Sequence, residues 1–503
     1  MKKYDVVVIG SGLGGLVSAL ILAMEGKKVC ILEKNNQYGG NLQTFARDKT
    51  IFDTGVHYIG GLAEDENLFK YFSYLDIISE LKLSKLDENG FDLISFSKDE
   101  NQFPHAQGYD NFINQLLVYF PDEEKAIRNY VEKIQEICDS FPMYNLENGF
   151  GYNEDFLRIN TIDFLKSITS NTKLIAVLLG SNFLYALNKQ TPFYVHALSV
   201  NSYINSAWRV IKGGSQISKI LIKKLRAFGA DLFKHQEVIG FETSDNKISF
   251  CFTKTETFLA DIFISNINLK HTLNLVGFEK FGKPFSNRIN SLKVVPSVFS
   301  LHLVLKPDTI PYFNHNLYHF KDENAVLNSA FEQGENWPQM AVITTGLSKE
   351  NQKFCESLTV MTYMNFDEVS QWENTFNTVN DVSNRGLDYL AFKENRTERL
   401  LRLVEEKFPD IKSNCISIYA STPLSYRDYI GCERGNMYGF EKESDAPMKT
   451  FISSRTKVKN LFLTGQNVRM HGILGVTISA FATVSEIIGK EYLFDKINTK
   501  PDE

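Results

Sequence analysis

The hydrophobic pattern changes period twice within the first thirty-odd residues. "YDVVVIG", Tyr4 to Gly10, is a run of apolar, mostly β-branched residues closed by glycine, as in a parallel strand buried on both faces. "SGLGGLVSALILAMEG" follows with small and apolar residues and a terminal Gly26, which predicts a helix. "KKVCILEK" then predicts a second strand ending at Glu33. A similar unit stands near the far end. "NLFLTG" predicts a strand ending at Gly465, and "VTISAFATVSEII" a helix whose N-terminus is expected near Gly475–Val476. Between them, Gly213-Gly214 leads into an amphipathic helix and a strand expected to run through Val238, and "ADIFISN" predicts a further buried strand. "GYDNFINQLLVYFPDEEKAIRNYVEKIQEICDSF" predicts helix with its charges on one solvated face. A fold that starts at residue 4 and closes near residue 490 must carry long insertions.

Composition narrows the class. The 503 residues are 43% hydrophobic, enough for a large core. Basic and acidic residues nearly balance, 54 against 60, for a net charge of −6, which argues against a nucleic-acid partner. The six cysteines are scattered, with no CxxC and no His-Cys cluster, so neither a disulfide framework nor a metal site is expected. The basic tip and apolar run at the N-terminus resemble a secretory signal, but Asp5 and a cluster of glycines break it. No stretch reaches about 18 uninterrupted apolar residues, so no spanning helix is expected. The expected location is cytoplasmic, with membrane contact through apolar or basic surface. "KILIKKLRAFG", Lys219 to Gly229, offers either a basic membrane-facing helix or, more plainly, a sheet-covering helix with outward lysines. There is no G-x-S-x-G elbow, no HExxH and no Walker loop.

Gly10, Gly12 and Gly15 have the spacing GxGxxG, with Gly14 as an extra. The first permits a tight turn, the second lets a pyrophosphate approach the backbone, and the third lets helix and strand pack closely. The helix N-terminus then offers free N–H groups to phosphates. Glu33 lies where a carboxylate would meet a ribose hydroxyl pair, and an acid there favours FAD or NAD over NADP.

Gly39-Gly40, in "NNQYGGNLQTF", resembles the second glycine pair of the glutathione-reductase-type and amine-oxidase-type FAD fold, over about residues 4–45. "NLFLTGQNVRMHGILGV" is similar to the C-terminal FAD motif of phytoene desaturases, carotenoid isomerases and retinol saturases, with Asn467 at the family's Asp position. "FDTGVHYIGG", "TPFYVHALSVNSYINSAW" and "STPLSYRDYIGCERGNMYG" look closest to retinol saturases and their bacterial relatives. The resemblance implies an α/β fold: a discontinuous FAD-binding Rossmann-like domain (1–70, 205–290, 455–503) with an inserted substrate domain of mixed sheet and helices (71–204, 291–454). It implies non-covalent FAD held by Gly10, Gly12, Gly14, Gly15, Glu33, Gly39, Gly40, Asn41, Val238 (through its backbone, at adenine), Gly465, Asn467, Gly475 and Val476. NAD(P)H or another compound would donate electrons. It implies flavin chemistry at a C=C bond of a lipophilic conjugated substrate, a retinoid or carotenoid-like polyene. Saturation is first; desaturation or cis–trans isomerisation is second. His57 and Tyr58 are the candidate catalytic residues, as proton shuttle or flavin-positioning groups, with a buried structural histidine as the alternative. His196 and Arg209 match positions near the substrate cavity and suit core packing equally. A prenyl-binding role of the GDP-dissociation-inhibitor type shares the fold. Amine oxidation is disfavoured, because Asn41 stands where an Arg is usual. Substrate identity and oligomeric state are not legible.

Overall fold

A computed structural model describes residues 2–147, 153–378 and 382–499. Among these, the strands form two seven-stranded sheets, a three-stranded sheet and a hairpin. The first sheet carries the nucleotide fold. Lys2–Ile9 lies between two parallel neighbours, Val29–Leu32 and Thr257–Ser265. Asp231–Phe233 extends one side in parallel. On the other side, Thr257–Ser265 pairs with Leu461–Leu463 in parallel and with Lys247–Phe252 antiparallel, and Gly240–Ser244 completes the edge. Three strands of one sheet thus come from the beginning, middle and end of the chain.

The continuous apolar run of the first strand follows from burial on both faces. Val6 and Val8 pack on one side with Leu16 and Leu20 of helix Leu13–Met24 and Phe481 of helix Gly472–Ile488. Val7 and Ile9 face the other way, with Phe263 and Leu273. The lysine-bearing helix is Ser215–Ala227, and it covers the sheet. Lys223 pairs with Glu80 at 2.8 Å, and Lys224 with Asp76 and Glu80, so these two lysines are already partnered within the fold.

The second sheet is mixed. Its order is Cys415–Ser421, Ser297–Leu305, Ser357–Met364, Met340–Thr345, Asn316–Phe320, Asp92–Phe96 and Gln102–His105. Only the contact between Asn316–Phe320 and Asp92–Phe96 is parallel. It has its own core, built on Phe299, Leu301, Leu358 and Val360. A group of helices, including Tyr109–Leu117, Glu124–Asp139 and Phe193–Asn205, packs beside the nucleotide fold.

Three local expectations are corrected. The strand expected to run through Val238 stops at Phe233, and Val238 lies in the following coil. The C-terminal helix begins at Gly472, one turn before Gly475–Val476. Its free N–H groups therefore end at Leu474, and the Gly475 and Val476 N–H groups are already inside the helical ladder. The charged segment after Gly108 is two helices, because Pro121 cannot continue the first: its ring fixes φ and it lacks an N–H.

Candidate nucleotide and substrate site

The glycine turn sits at the carboxyl end of the central strand, where open α/β sheets bind ligands. Gly10 has φ +91°, a left-handed conformation that a side chain resists. At Gly15 a Cβ would lie 2.2 Å from the Gly10 carbonyl oxygen, so only glycine lets the helix come this close. Helix Leu13–Met24 has Gly12 at its N-cap and no side chain capping it, which leaves its first N–H groups pointing outward. Gly39 and Gly40 cross directly over this turn. Gly39 bridges Gly12, and its N–H donates to the Ser11 carbonyl at 3.1 Å. Asn266, at the end of the neighbouring strand, lies against Gly12, Gly14 and Gly465 and so ties the turn to the C-terminal segment.

Glu33 is buried just beyond its strand. It accepts hydrogen bonds from the Ser11 N–H at 3.1 Å, the Ser11 hydroxyl and the Asn35 N–H at 2.9 Å. The carboxylate thus braces the glycine turn, a role that spacing did not show. The segment after Phe233 runs alongside it, with the Gln236 N–H donating to the Glu33 carbonyl at 2.9 Å. Two residues on, the Val238 main-chain N–H and C=O have no partner among the described residues, while its side chain is buried. Asn41 packs against Gly55 beneath the hairpin of Thr44–Arg47 and Thr50–Asp53. At the other end of the site Asn467 presses against Gly439, and its buried Oδ1 accepts nothing from the protein.

"FDTGVHYIGG" serves several partners. Asp53 accepts the Gly214 N–H at 2.6 Å, at the start of the sheet-covering helix, and burial pushes its carboxyl up to about 7. His57 is half-buried near Arg209 and His302 and makes no hydrogen bond among the described residues. Burial, then the Arg209 charge, pushes it down to about 4, so it is neutral at pH 7. Tyr58 donates to Asp92 at 2.9 Å, and its hydroxyl meets that of Tyr318 at 2.7 Å. Asp92 also accepts from Asn316 at 2.9 Å and Ser181 at 3.1 Å, and burial raises it to about 7. Gly60 packs against the backbone at Ser202, where a Cβ would come within 2.6 Å.

Tyr58 packs against Tyr203 with ring centroids 4.6 Å apart and planes tilted by 46°, and Tyr203 lines a largely apolar cavity. Ile59 and Gly60 form one side of this cavity, and His471 to Gly475 at the start of the C-terminal helix form another. The cavity therefore joins the end of "FDTGVHYIGG" to the C-terminal glycine loop. His196 is elsewhere, held between the hydroxyls of Tyr130 and Tyr185 at 2.7 and 2.8 Å, which makes it a core residue. Arg209 is likewise buried, bonded to Tyr312 at 2.8 Å and Asn316 at 3.0 Å. Sequence reasoning missed Asp92, Tyr318 and Asn316. The one available signal was an acid inside the apolar run "FDLISF". Among the described residues no cluster of His, Cys, Asp or Glu could hold a metal ion.

Sheet order, glycine turn and buried acid define the class: an α/β Rossmann-like nucleotide-binding domain joined to a mixed-sheet and helical accessory domain. Residues 8–75 match the family model of the NAD(P)-binding Rossmann-like domain. The chain is 28% identical to an all-trans-retinol 13,14-reductase of Danio rerio, covering 97% of this chain and 86% of that protein. It is 23% identical to a chloroplastic prolycopene isomerase of an Oncidium hybrid, over 95% and 82% of the two chains. The fold is shared with cyclohexylamine oxidase from Brevibacterium oxydans, with a TM-score of 0.63 at 11% identity, covering 99% of this chain and all of that one. The chain is thus related, at modest identity, to a broad group of retinol-reductase-like and carotenoid-isomerase-like oxidoreductases. Oxidoreductase chemistry with a nucleotide cofactor is the general activity that follows.

Proposed function

We propose that the protein is an FAD-dependent oxidoreductase that saturates a C=C bond of a lipophilic conjugated molecule, a retinoid or carotenoid-like polyene. The observation that carries this reading is the apolar cavity bounded by Ile59-Gly60 and His471–Gly475, next to a nucleotide cradle built for a dinucleotide. The residues present fit FAD. The unpartnered Val238 main chain suits the adenine edge, Glu33 the ribose, the free N–H groups after Gly12 the pyrophosphate, and the orphaned Asn467 Oδ1 a ribityl hydroxyl. Bound there, FAD would supply the hydride. The chain's own residues would shape a dry cavity, align the substrate and deliver a proton. The Asp92–Tyr58–Tyr318 hydrogen-bond chain, packed through Tyr58 against Tyr203, is one proton route; the neutral His57 N–H is the other.

No helix among the described residues is long and apolar enough to cross a membrane. Collection of a water-insoluble substrate then falls to surface contact. The most exposed large apolar residues include Leu387 at 81% and Val382 at 74%, close in sequence to Phe376 and Leu390. These exposed apolar side chains, with Leu387 and Leu390 at the start of helix Gly386–Glu405, are our candidate for touching a bilayer.

The test uses holoprotein reduced chemanically free of oxygen and mixed with all-trans-retinol or a carotenoid. A product heavier by two hydrogens supports saturation. A product of unchanged mass makes the enzyme an isomerase, and one lighter by two hydrogens, formed by oxidised enzyme, makes it a desaturase. Colourless protein that takes up no flavin on reconstitution overturns the redox reading in favour of a lipid-binding protein.

A further inference from the structure

The cavity wall is apolar or hydroxylic over most of its extent, with Leu198, Ile59 and Ile473 beside Tyr144 and Tyr203. One feature breaks that pattern. Lys442 reaches the cavity from the segment after Tyr438-Gly439, and Arg469 and His471 line it from the turn before the C-terminal helix. Basic residues therefore gather at a lipophilic chamber, and among the described residues no acid lines it.

Lys442 is the informative member. Among the described residues its Nζ donates one hydrogen bond, to the Arg469 carbonyl oxygen at 2.8 Å. An ammonium has three donors, so two remain. Among the described residues Lys442 forms no ion pair, although most of the protein's lysine ion pairs lie at the surface, where such pairing stabilises least. Burial, with no neighbouring acid to oppose it, brings the amine down to about 8, and it still carries its charge at neutral pH. Lys442 is half-buried, and a partly desolvated charge without a counter-ion is unfavourable, so such a group suits an opposite charge on a ligand. His471 does not add to the positive charge. Its Nε2–H donates to the Leu184 carbonyl at 3.0 Å, and burial, then the Lys442 charge, pushes it down to about 4. The first N–H groups of helix Gly472–Ile488 open onto the same chamber and also favour an anion.

We infer that this end of the cavity is a carboxylate-binding subsite centred on Lys442, and that the substrate is a lipophilic acid rather than a hydrocarbon or an alcohol. The inference rests on the polyene reading above and adds the head group to it. One ammonium with a guanidinium nearby suits a single negative charge, and the apolar remainder suits the chain of the same molecule.

The test is a binding titration of holoprotein, followed by quenching of intrinsic fluorescence, with all-trans-retinoic acid, its methyl ester and all-trans-retinol. The parent should bind the acid at least about tenfold more tightly than the ester or the alcohol, as a charge-assisted contact implies. Lys442→Met, which keeps the length and apolar stem, should remove that preference while leaving the alcohol's affinity within about threefold, and Lys442→Arg should largely retain it. Equal binding of all three probes by the parent overturns the subsite and leaves the polyene reading standing. Binding of none overturns both. A Lys442→Met protein that keeps its acid preference, or that loses FAD while the parent retains it, also overturns the proposal; the second result would assign the ammonium to the cofactor.

Discussion

Replacing Glu33 tests the nucleotide site most directly, because this carboxylate does two things that can be measured apart. Toward the proposed ligand it faces the adenosine ribose, where charge-assisted hydrogen bonds contribute about 1.5–3 kcal/mol each. Loss of one such bond weakens affinity by roughly one to two orders of magnitude. Toward the protein, Glu33 accepts the Ser11 N–H, the Ser11 hydroxyl and the Asn35 N–H. Asn35 is half-buried and can turn to water, and the Ser11 hydroxyl can rotate, but Ser11 is fully buried and its N–H would lose its acceptor. An unsatisfied buried donor costs about 1–3 kcal/mol. Glu33→Ala should therefore weaken FAD binding roughly 10–100-fold and lower the stability of the flavin-free protein by about 1–3 kcal/mol. Glu33→Gln keeps one carbonyl acceptor and should fall between the parent and Glu33→Ala on both scales. Affinity is read by titrating stripped protein with FAD and following flavin fluorescence, and stability by urea unfolding of the same preparations. An FAD affinity within about twofold of the parent, with stability lowered as expected, would show that Glu33 braces the turn but does not meet the ribose, and the assigned register of the cofactor would fall.

Asp92 gives a pH signature. Its carboxyl titrates near 7 in the fold, against an ordinary value of 3.8, so between these values the folded protein holds a proton that the unfolded chain has released. Stability contributed at low pH should fall as pH rises through that window, by up to about 4 kcal/mol, and level off above it; Asp92→Asn should flatten the difference between urea midpoints at pH 5 and pH 8, and an unchanged slope would refute the assignment. His57→Ala should slow reduction of the polyene under single-turnover conditions by roughly 10²–10⁴-fold with FAD retained, if its N–H delivers the proton. Because the ring is already neutral at pH 7, the parent rate should show no inflection near 6.5, and a His57→Ala protein as fast as the parent would pass the proton to the Tyr58 chain. Leu387→Asp with Val382→Asp should abolish flotation with liposomes; flotation unchanged by this pair would move membrane contact elsewhere, and absence of flotation by the parent with both neutral and anionic lipid would favour a carrier or a soluble substrate.

Sequence and fold decided different things here. The two ends of the nucleotide site were legible because their information is local. A tight turn needs glycine where φ is positive, as at Gly10, and a helix closes on a strand only where no Cβ intervenes, as at Gly15. Such constraints act between residues a few positions apart, so they leave motifs. The same holds for strands buried on both faces, whose apolar runs marked the central sheet elements, though not their order. Element ends were less legible. The strand stopping at Phe233 and the helix starting at Gly472 are set by where pairing and packing partners run out, and those partners lie more than a hundred residues away. The site's polar interior was hardly legible. Tyr58 meets Asp92 and Tyr318 across 34 and 260 residues, and Lys442 faces a chamber whose other walls come from residues 59–60, 141–144, 184–203 and 468–478. A hydrogen bond or an uncompensated charge has energy only once the groups are brought together and water is removed. Burial also shifts what residue type suggests, keeping His57 neutral well below pH 7 and holding a proton on Asp92 up to about pH 7. Local sterics wrote the nucleotide turns into the sequence, and tertiary desolvation decided which polar groups in the interior are paired, which are neutral and which, like Lys442, have no ion pair among the described residues.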